Sequence, residues 1–452
     1  MLKRDIIATF TANTVGLFLS LVTSIIIARA LGPAERGLLG LALLVPSLMV
    51  SFCTVGQPTV NIIFAGLYKD KQSSLFQQSL IFTLFGSVIS TIAIYAFYFW
   101  LPIQKGLFGQ LGTDIVRISC LFAPVLMLHG LMTSLLRGVG RTTTAAVIYI
   151  VQTSVFLLLL VIFLIWLGGR LKTALALTAL NPLVTVVLSI VLLRDCATLR
   201  WSKFSVWLLK KSLRFGAQIS IASLAGFLIY RIDQGILAYM VPASQVGLYI
   251  VAVALAEQVR LLPNSIAVAF LPRLTNELSD RQAQVPMVFR CTVVVSIGSM
   301  LLAGILGIPA IMVFYGRAYW QSIPSFLLLL PGIASLGGSS ILASDLASRE
   351  KPQYSVWISY VSLIVNIILN FVLIPSIGIA GAAVASSIAY TLDGILWLAS
   401  YKYVSGTPLR EMIPQLKDTR DILSVIISMI RQAMHRAMPN LKLADSTDIK
   451  KC

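Results

Sequence analysis

Long apolar runs recur from one end of this chain to the other, separated by short polar turns. Twelve can be read, at about 6–30, 37–58, 76–101, 114–136, 143–167, 173–194, 214–240, 245–271, 287–314, 322–345, 353–374 and 378–401. Each is long enough to cross roughly 30 Å of hydrocarbon at about 1.5 Å of rise per residue. The pattern therefore predicts an all-α polytopic membrane protein, with its first two spans the least separable. The N-terminal run looks at first like a signal peptide, with Lys3 and Arg4 ahead of it and Ala28-Arg29-Ala30 behind. It is too long for a signal core, and further spans follow at once.

The longest polar interval divides the chain into six spans and six. The domains expected are an N-terminal bundle at 1–194, a cytoplasmic linker at 195–213, a C-terminal bundle at 214–401 and a cytoplasmic tail at 402–452. In the tail, Leu416, Ile422, Leu423, Ile426, Ile427, Ile430 and Met434 make one helical stripe, with Arg420, Arg431 and Arg436 outside it. That predicts an amphipathic basic helix at about 415–438, lying on an anionic membrane surface or against a partner.

Composition agrees with the pattern. The chain is 58% hydrophobic and 12% charged, about half the charge fraction of a soluble domain. The net charge of +18 comes from Lys and Arg between apolar runs rather than on one basic face, so nucleic acid is not an expected partner. Of 35 Lys and Arg, seventeen fall in the pieces on the N-terminal side of the membrane and nine in the tail. Seven (Arg29, Arg36, Lys105, Arg117, Arg170, Lys172 and Arg317) fall on the other side, and Arg231 and Arg260 lie within spans. The bias puts both termini in the cytoplasm of a cell whose inner, plasma membrane the chain spans.

The same reading excludes several classes. Cys53, Cys120, Cys196, Cys291 and Cys452 form no CxxC and read as packing residues, and no metal site is expected. No loop is large enough for the acceptor site of a membrane glycosyltransferase or ligase. No Walker A, GxGxxG, HExxH or GxSxG motif occurs, so no enzyme activity or bound cofactor is expected. Transport without an ATP site needs an ion gradient, membrane potential or consumption of the product. The loop "LYKDKQSS" after span 2 lacks the signature of a major-facilitator transporter.

The two halves are related. "LGPAERGLLGLALLV" follows span 1 and "MVPASQVGLYIVAVAL" follows span 7; both run Pro-Ala, polar residues, Gly-Leu, then an Ala-containing helix. Six-span units that begin and end on one face are parallel repeats, which enclose a site at their interface. The stretches "ARALGPAERGLLGLALL" (28–44), "IDQGILAYMVPASQVGLYIVA" (232–252) and "NIILNFVLIPSIGIAGAAVASSIAY" (366–390) resemble the oligosaccharide flippases, also called polysaccharide biosynthesis or export proteins, of the multidrug/oligosaccharidyl-lipid/polysaccharide exporter superfamily. The resemblance spans almost all of residues 1–401. It implies two bundles in a V around a central cavity, working by alternating access. It also implies movement of polyprenyl-pyrophosphate-linked oligosaccharides from the cytoplasmic to the outer leaflet, with polymerase and glycosyltransferases as partners. A drug or metabolite exporter coupled to Na⁺ or H⁺ shares that fold.

Charges within spans discriminate between these readings. A charge near the bilayer centre costs at least about 2.5–3.5 kcal/mol, so it faces a cavity or a partner. In "IYRIDQGILAYM", Arg231 and Asp233 stand two residues apart on opposite sides of span 7, so neither readily neutralises the other. Arg231 is either an interhelical ion pair, a phosphate or glycan contact, or a snorkelling side chain. Glu257 and Arg260, three apart in span 8, are expected to pair with each other. Arg29 and Arg117 read as anchors at the outer surface, with an outer-cavity cation as the alternative for Arg29. The candidate cavity residues are thus Arg231, Asp233, Arg260, Glu257 and Arg29, with Asp393 a candidate for ion coupling or for a structural hydrogen bond. Asp345 is expected to be solvated. His129 is expected to make a polar contact within the bundle, and Asn366 and Asn370 to bond across helices. Pro46, Pro124, Pro182, Pro263, Pro309 and Pro331 are expected to kink their spans.

Overall fold

The computed structural model describes residues 2–100, 111, 113–194, 204–264, 266, 281–349, 351 and 353–415. Among them every regular element is helical. Eleven helices are long and apolar enough to cross a membrane. One of these, Phe18–Cys53, carries both of the first two spans. Its backbone leaves helical geometry at Gly32 (φ 71°, ψ 174°), and Pro33 starts the next helix. A side chain at that φ would clash with its own backbone, which is why glycine stands there. Beyond the turn, Glu35 accepts a hydrogen bond from the Leu171 amide between spans 5 and 6 (3.2 Å). Some thirty residues further on, Asn61 and Ala65 lie against Gly138 at the close of span 4. Span 2 has therefore turned back across the bundle. The face bearing the Gly32 turn is called the far face below, and that bearing the N-terminus the near face.

The remaining spans are Gln72–Trp100, Thr113–Gly138, Thr142–Leu160 with the π-helical Val161–Trp166, and Leu171–Leu193. The second half follows with Val206–Ile229 and Ile232–Met240, Ala243–Ala256 with Glu257–Arg260, Arg281–Tyr315, Ile323–Ser348, Gln353–Ile377 and Ile379–Ser405. Three boundaries differ from the sequence reading. Span 2 does not end near 58 but resumes as Gln57–Leu67 after a break at Thr54–Gly56. Residues 206–213, expected in the linker, are helical. Ser205 caps them by accepting from the Leu208 amide, and Leu208 is fully buried. At Asn181, just before Pro182, span 6 divides into Leu171–Leu180 and Pro182–Leu193, with Asn181 itself keeping helical dihedrals (φ −50°, ψ −45°). Pro46, Pro124, Pro309 and Pro331 do lie inside helices. The amphipathic helix expected over about 415–438 falls beyond the described residues, which end at 415.

The halves meet along two seams. At the far face, spans 2 and 8 cross backbone to backbone. A Cβ on Gly37 would sit 2.0 Å from the Ala243 carbonyl oxygen, and one on Gly247 would sit 1.9 Å from that of Pro33. At the near face a Cβ on Gly56 would lie 2.4 Å from the Gly216 oxygen, and one on Gly216 2.3 Å from the Val55 oxygen. Only glycine permits such approaches. Three further bonds tie the far seam: Arg29 donates to the Val313 carbonyl (2.6 Å), Tyr319 to that of Ala28 (2.9 Å) and Tyr315 to Ser24 Oγ (3.5 Å).

Candidate functional site

Span 7 breaks between Ile229 and Ile232, where Arg231 takes φ −134°, ψ −14°. A helix break frees carbonyls that lipid cannot solvate, so each needs a partner. Here the Ile229 oxygen accepts from Asn366 Nδ2 (3.2 Å) and from the Tyr390 hydroxyl (3.3 Å). Asn370 in turn donates to Asn366. Both asparagines thus hold span 11 against the break. The break turns the end of the first helix and the start of the second into a shelf inside the second bundle.

On that shelf Arg231 reaches Glu257 of span 8 through two contacts, 3.0 and 3.3 Å. The two side chains keep 34% and 30% of their surface exposed. Bidentate pairing is the strong geometry for guanidinium and carboxylate. The expected pairing of Glu257 with Arg260 does not occur. Glu257 opens a tighter 3₁₀ turn, Glu257–Arg260, and its carboxylate is taken by Arg231. Arg260 instead lies over the Tyr230 ring, 4.5 Å from its centroid, and Tyr230 packs 5.4 Å from Tyr390. Asp393, enclosed on span 12, acts electrostatically on the same arginine. Arg231, Glu257, Arg260, Tyr230, Tyr390 and Asp393 therefore form one cluster of cations, carboxyls and aromatic rings.

Two expected members are elsewhere. Asp233, only 1% exposed, is enclosed rather than cavity-lining. Its oxygens accept from the Tyr249 hydroxyl (2.5 Å), Ser386 Oγ (3.0 Å) and the Gln234 amide (2.7 Å). Three donors satisfy a buried carboxylate, so it locks span 7 to spans 8 and 12. Arg29 belongs to the far seam, through Val313. Asp345 also differs from expectation: it is fully enclosed, paired with Arg349 at 2.5 Å. Arg117 is exposed and lies 3.9 Å from Asp114, which Lys172 approaches to 2.6 Å. His129 lies near Gln152, which accepts from Thr185 (2.6 Å). Among the described residues no group of His, Cys, Asp and Glu is placed to hold a metal.

Tyr230, Tyr249 and Tyr390 carry much of this site and were not singled out in the sequence, while Ser386, expected with Gly378 and Ala382 as a small residue for helix packing, donates to Asp233. Tyrosine in an apolar helix gives no signal until the helices beside it are known.

Two helical bundles joined backbone to backbone at glycine seams, with a charged shelf at a broken helix, define a membrane transporter. The chain belongs to the polysaccharide biosynthesis protein family, whose model matches residues 2–277. It is 25% identical over 427 residues to the probable low-salt glycan biosynthesis flippase of Haloferax volcanii, covering 87% of this chain and 82% of that protein. Among solved structures it is similar to the lipid II flippase MurJ in an inward closed conformation (TM-score 0.69, 15% identity, 94% of this chain and 92% of that one). It is also similar to an inward-facing multidrug resistance transporter of the MATE family (TM-score 0.66, 16% identity, 86% and 94%). These likenesses establish the V-shaped, two-lobed fold that the resemblance implied.

Proposed function

We propose that the protein flips polyprenyl-diphosphate-linked oligosaccharides from the cytoplasmic to the outer leaflet, for assembly of a cell-surface polysaccharide. The observation that carries this reading is the pair of part-exposed arginines, Arg231 and Arg260, on the span 7–8 shelf of a polysaccharide-biosynthesis family member. A diphosphate is a dianion that needs fixed donors, and guanidinium supplies a planar fork that matches phosphate oxygens. In the structure Glu257 occupies the Arg231 fork, and phosphate oxygens would compete for it. Tyr230, part-exposed beside Arg260 and backed by the buried Tyr390, offers an aromatic ring that suits the apolar faces of sugars. The glycine seams give the movement: parting at the near face admits the headgroup, and parting at the far face releases it. Lipid-tethered substrate needs no other passage, since its tail stays in the hydrocarbon.

The Lys and Arg bias supports a near face in the cytoplasm and both termini inside, in the plasma membrane. Asp393, enclosed beside Arg260, is the carboxyl at which binding of Na⁺ or H⁺ would change the charge of the cluster. The enzymes that make and polymerise the glycan are its natural partners.

The test is reconstitution in vesicles with a lipid-linked diphosphate oligosaccharide offered on the near side. Wild type is expected to expose the glycan to an outer-side lectin. Arg231→Ala is expected to slow that at least tenfold. Arg231→Lys, which keeps charge without the fork, is expected to fall between. Normal movement in both variants would remove Arg231 from the binding site. Transport of organic cations, with none of the lipid-linked sugar, would identify a drug exporter.

A further inference from the structure

Arg36 stands in the far seam, one residue before Gly37 of the span 2–8 crossing. Its Nε is buried and bonds nothing, and no hydrogen bond or ion pair of its guanidinium occurs among the described residues. The adjacent Glu35 is not its partner, for that carboxylate accepts from Leu171. The phenols of Tyr315 and Tyr319, from the opposite half of the molecule, lie within electrostatic range of it. The repeat shows that the fold does not ask for this charge. Aligned on the seam glycines, the equivalent of Arg36 is Val246, which is fully buried at the same kind of crossing. A valine therefore meets the packing need, and the arginine is an addition to it. A guanidinium whose Nε is buried at the seam without an acceptor has donors left for an anion in another state of the cycle.

We propose that Arg36, with Tyr315 and Tyr319, forms a second phosphate-binding station at the far seam, which takes over the diphosphate head before release on that side. The inference rests on the flippase reading given above. In the structure both phenol hydroxyls are engaged with span 1, at Ser24 Oγ and the Ala28 carbonyl. Parting of the far seam breaks those bonds and leaves two hydroxyl donors and a guanidinium fork around one gap, a donor set for phosphate oxygens. The shelf arginines and Arg36 then act in sequence, the first loading and the second unloading.

The experiment uses full-length protein in vesicles, with a polyprenyl-diphosphate disaccharide as probe and with or without phosphatidylglycerol in the bilayer. Arg36→Val, the residue of the other repeat, is expected to keep the thermal midpoint and the half-saturation concentration on the near side. Turnover at saturation is expected to drop tenfold or more, with Arg36→Lys retaining part of it. If the loss appears only in bilayers containing phosphatidylglycerol, the station serves a phospholipid headgroup and the assignment to substrate is overturned. Unchanged turnover overturns it too. So does unfolding of both Arg36→Val and Arg36→Gln, which would make the arginine a structural residue. Failure of wild type to move the probe sinks the flippase reading along with this one. Loss in Arg231→Ala with normal turnover in Arg36→Val sinks this inference alone.

Discussion

Gly37 and Gly247 occupy equivalent places in the two repeats, and each lies against the carbonyl four residues before the other. Gly37 faces the Ala243 oxygen and Gly247 the Pro33 oxygen, at distances no side chain tolerates. The far seam is thus a near-symmetric helix crossing made possible by one glycine from each half.

An alanine at either position must push the helices apart. Gly37→Ala and Gly247→Ala are expected to shift the population toward the state open at the far face. Spin-label distances between spans 2 and 8 are expected to lengthen there. Gly216→Ala acts at the near seam, against the Val55 oxygen, and is expected to shift the population the opposite way. The same shift in both classes would show that these contacts pack the lobes without gating them.

The Arg231–Glu257 pair makes a separable prediction. Removing one partner leaves the other charge without its mate in a part-buried site, and such losses cost about 3–5 kcal/mol when burial is complete. With about a third of each side chain exposed, a smaller loss of stability is expected from Glu257→Ala. The exchange Arg231→Glu with Glu257→Arg is expected to restore the thermal midpoint. If the swap restores transport too, only the pair matters, and the arginine's place on span 7 does not.

Asp233 is expected to act on stability alone. Asp233→Ala leaves the Tyr249 and Ser386 hydroxyls without their acceptor in an apolar interior, at about 1–3 kcal/mol for each group stranded. Thermal unfolding in detergent is expected to fall. The half-saturation concentration of the protein that remains folded is expected to match wild type. A rise in that concentration at unchanged stability would return Asp233 to the binding site.

The break in span 7 is held from outside it. Asn366→Leu removes one of two donors to the Ile229 carbonyl and leaves Tyr390 as the other. A loss of about 1 kcal/mol is expected. The double variant with Tyr390→Phe should cost more than the two single losses added, because only then is the carbonyl stranded. Simple additivity, read from the same unfolding curves, would show that the carbonyl finds another donor.

Much of this architecture was legible in the chain. Apolar runs of membrane-crossing length dictate helices because lipid offers no partner to an open backbone. The repeated Pro-Ala…Gly-Leu segments marked the symmetry, and the seam glycines lie inside them. Helical spacing predicted that Arg231 and Asp233 point apart, but span 7 breaks at Arg231, so the break and not the spacing sets their directions. Partners were not legible. Glu257 stood three residues from Arg260 in sequence yet pairs with Arg231, because a tight turn at Glu257–Arg260 and a break in span 7 reset both directions. The same applies to Asp345, whose place near a span end suggested water but whose carboxylate packs under Arg349.

The sequence by itself determined that the chain crosses a membrane many times as two related halves, since length, hydropathy and repetition are properties of a single chain. Only the tertiary structure decided which charges are spent on each other and which are left for a ligand. That distinction depends on contacts between helices far apart in sequence, where a shift of one turn replaces one partner with another.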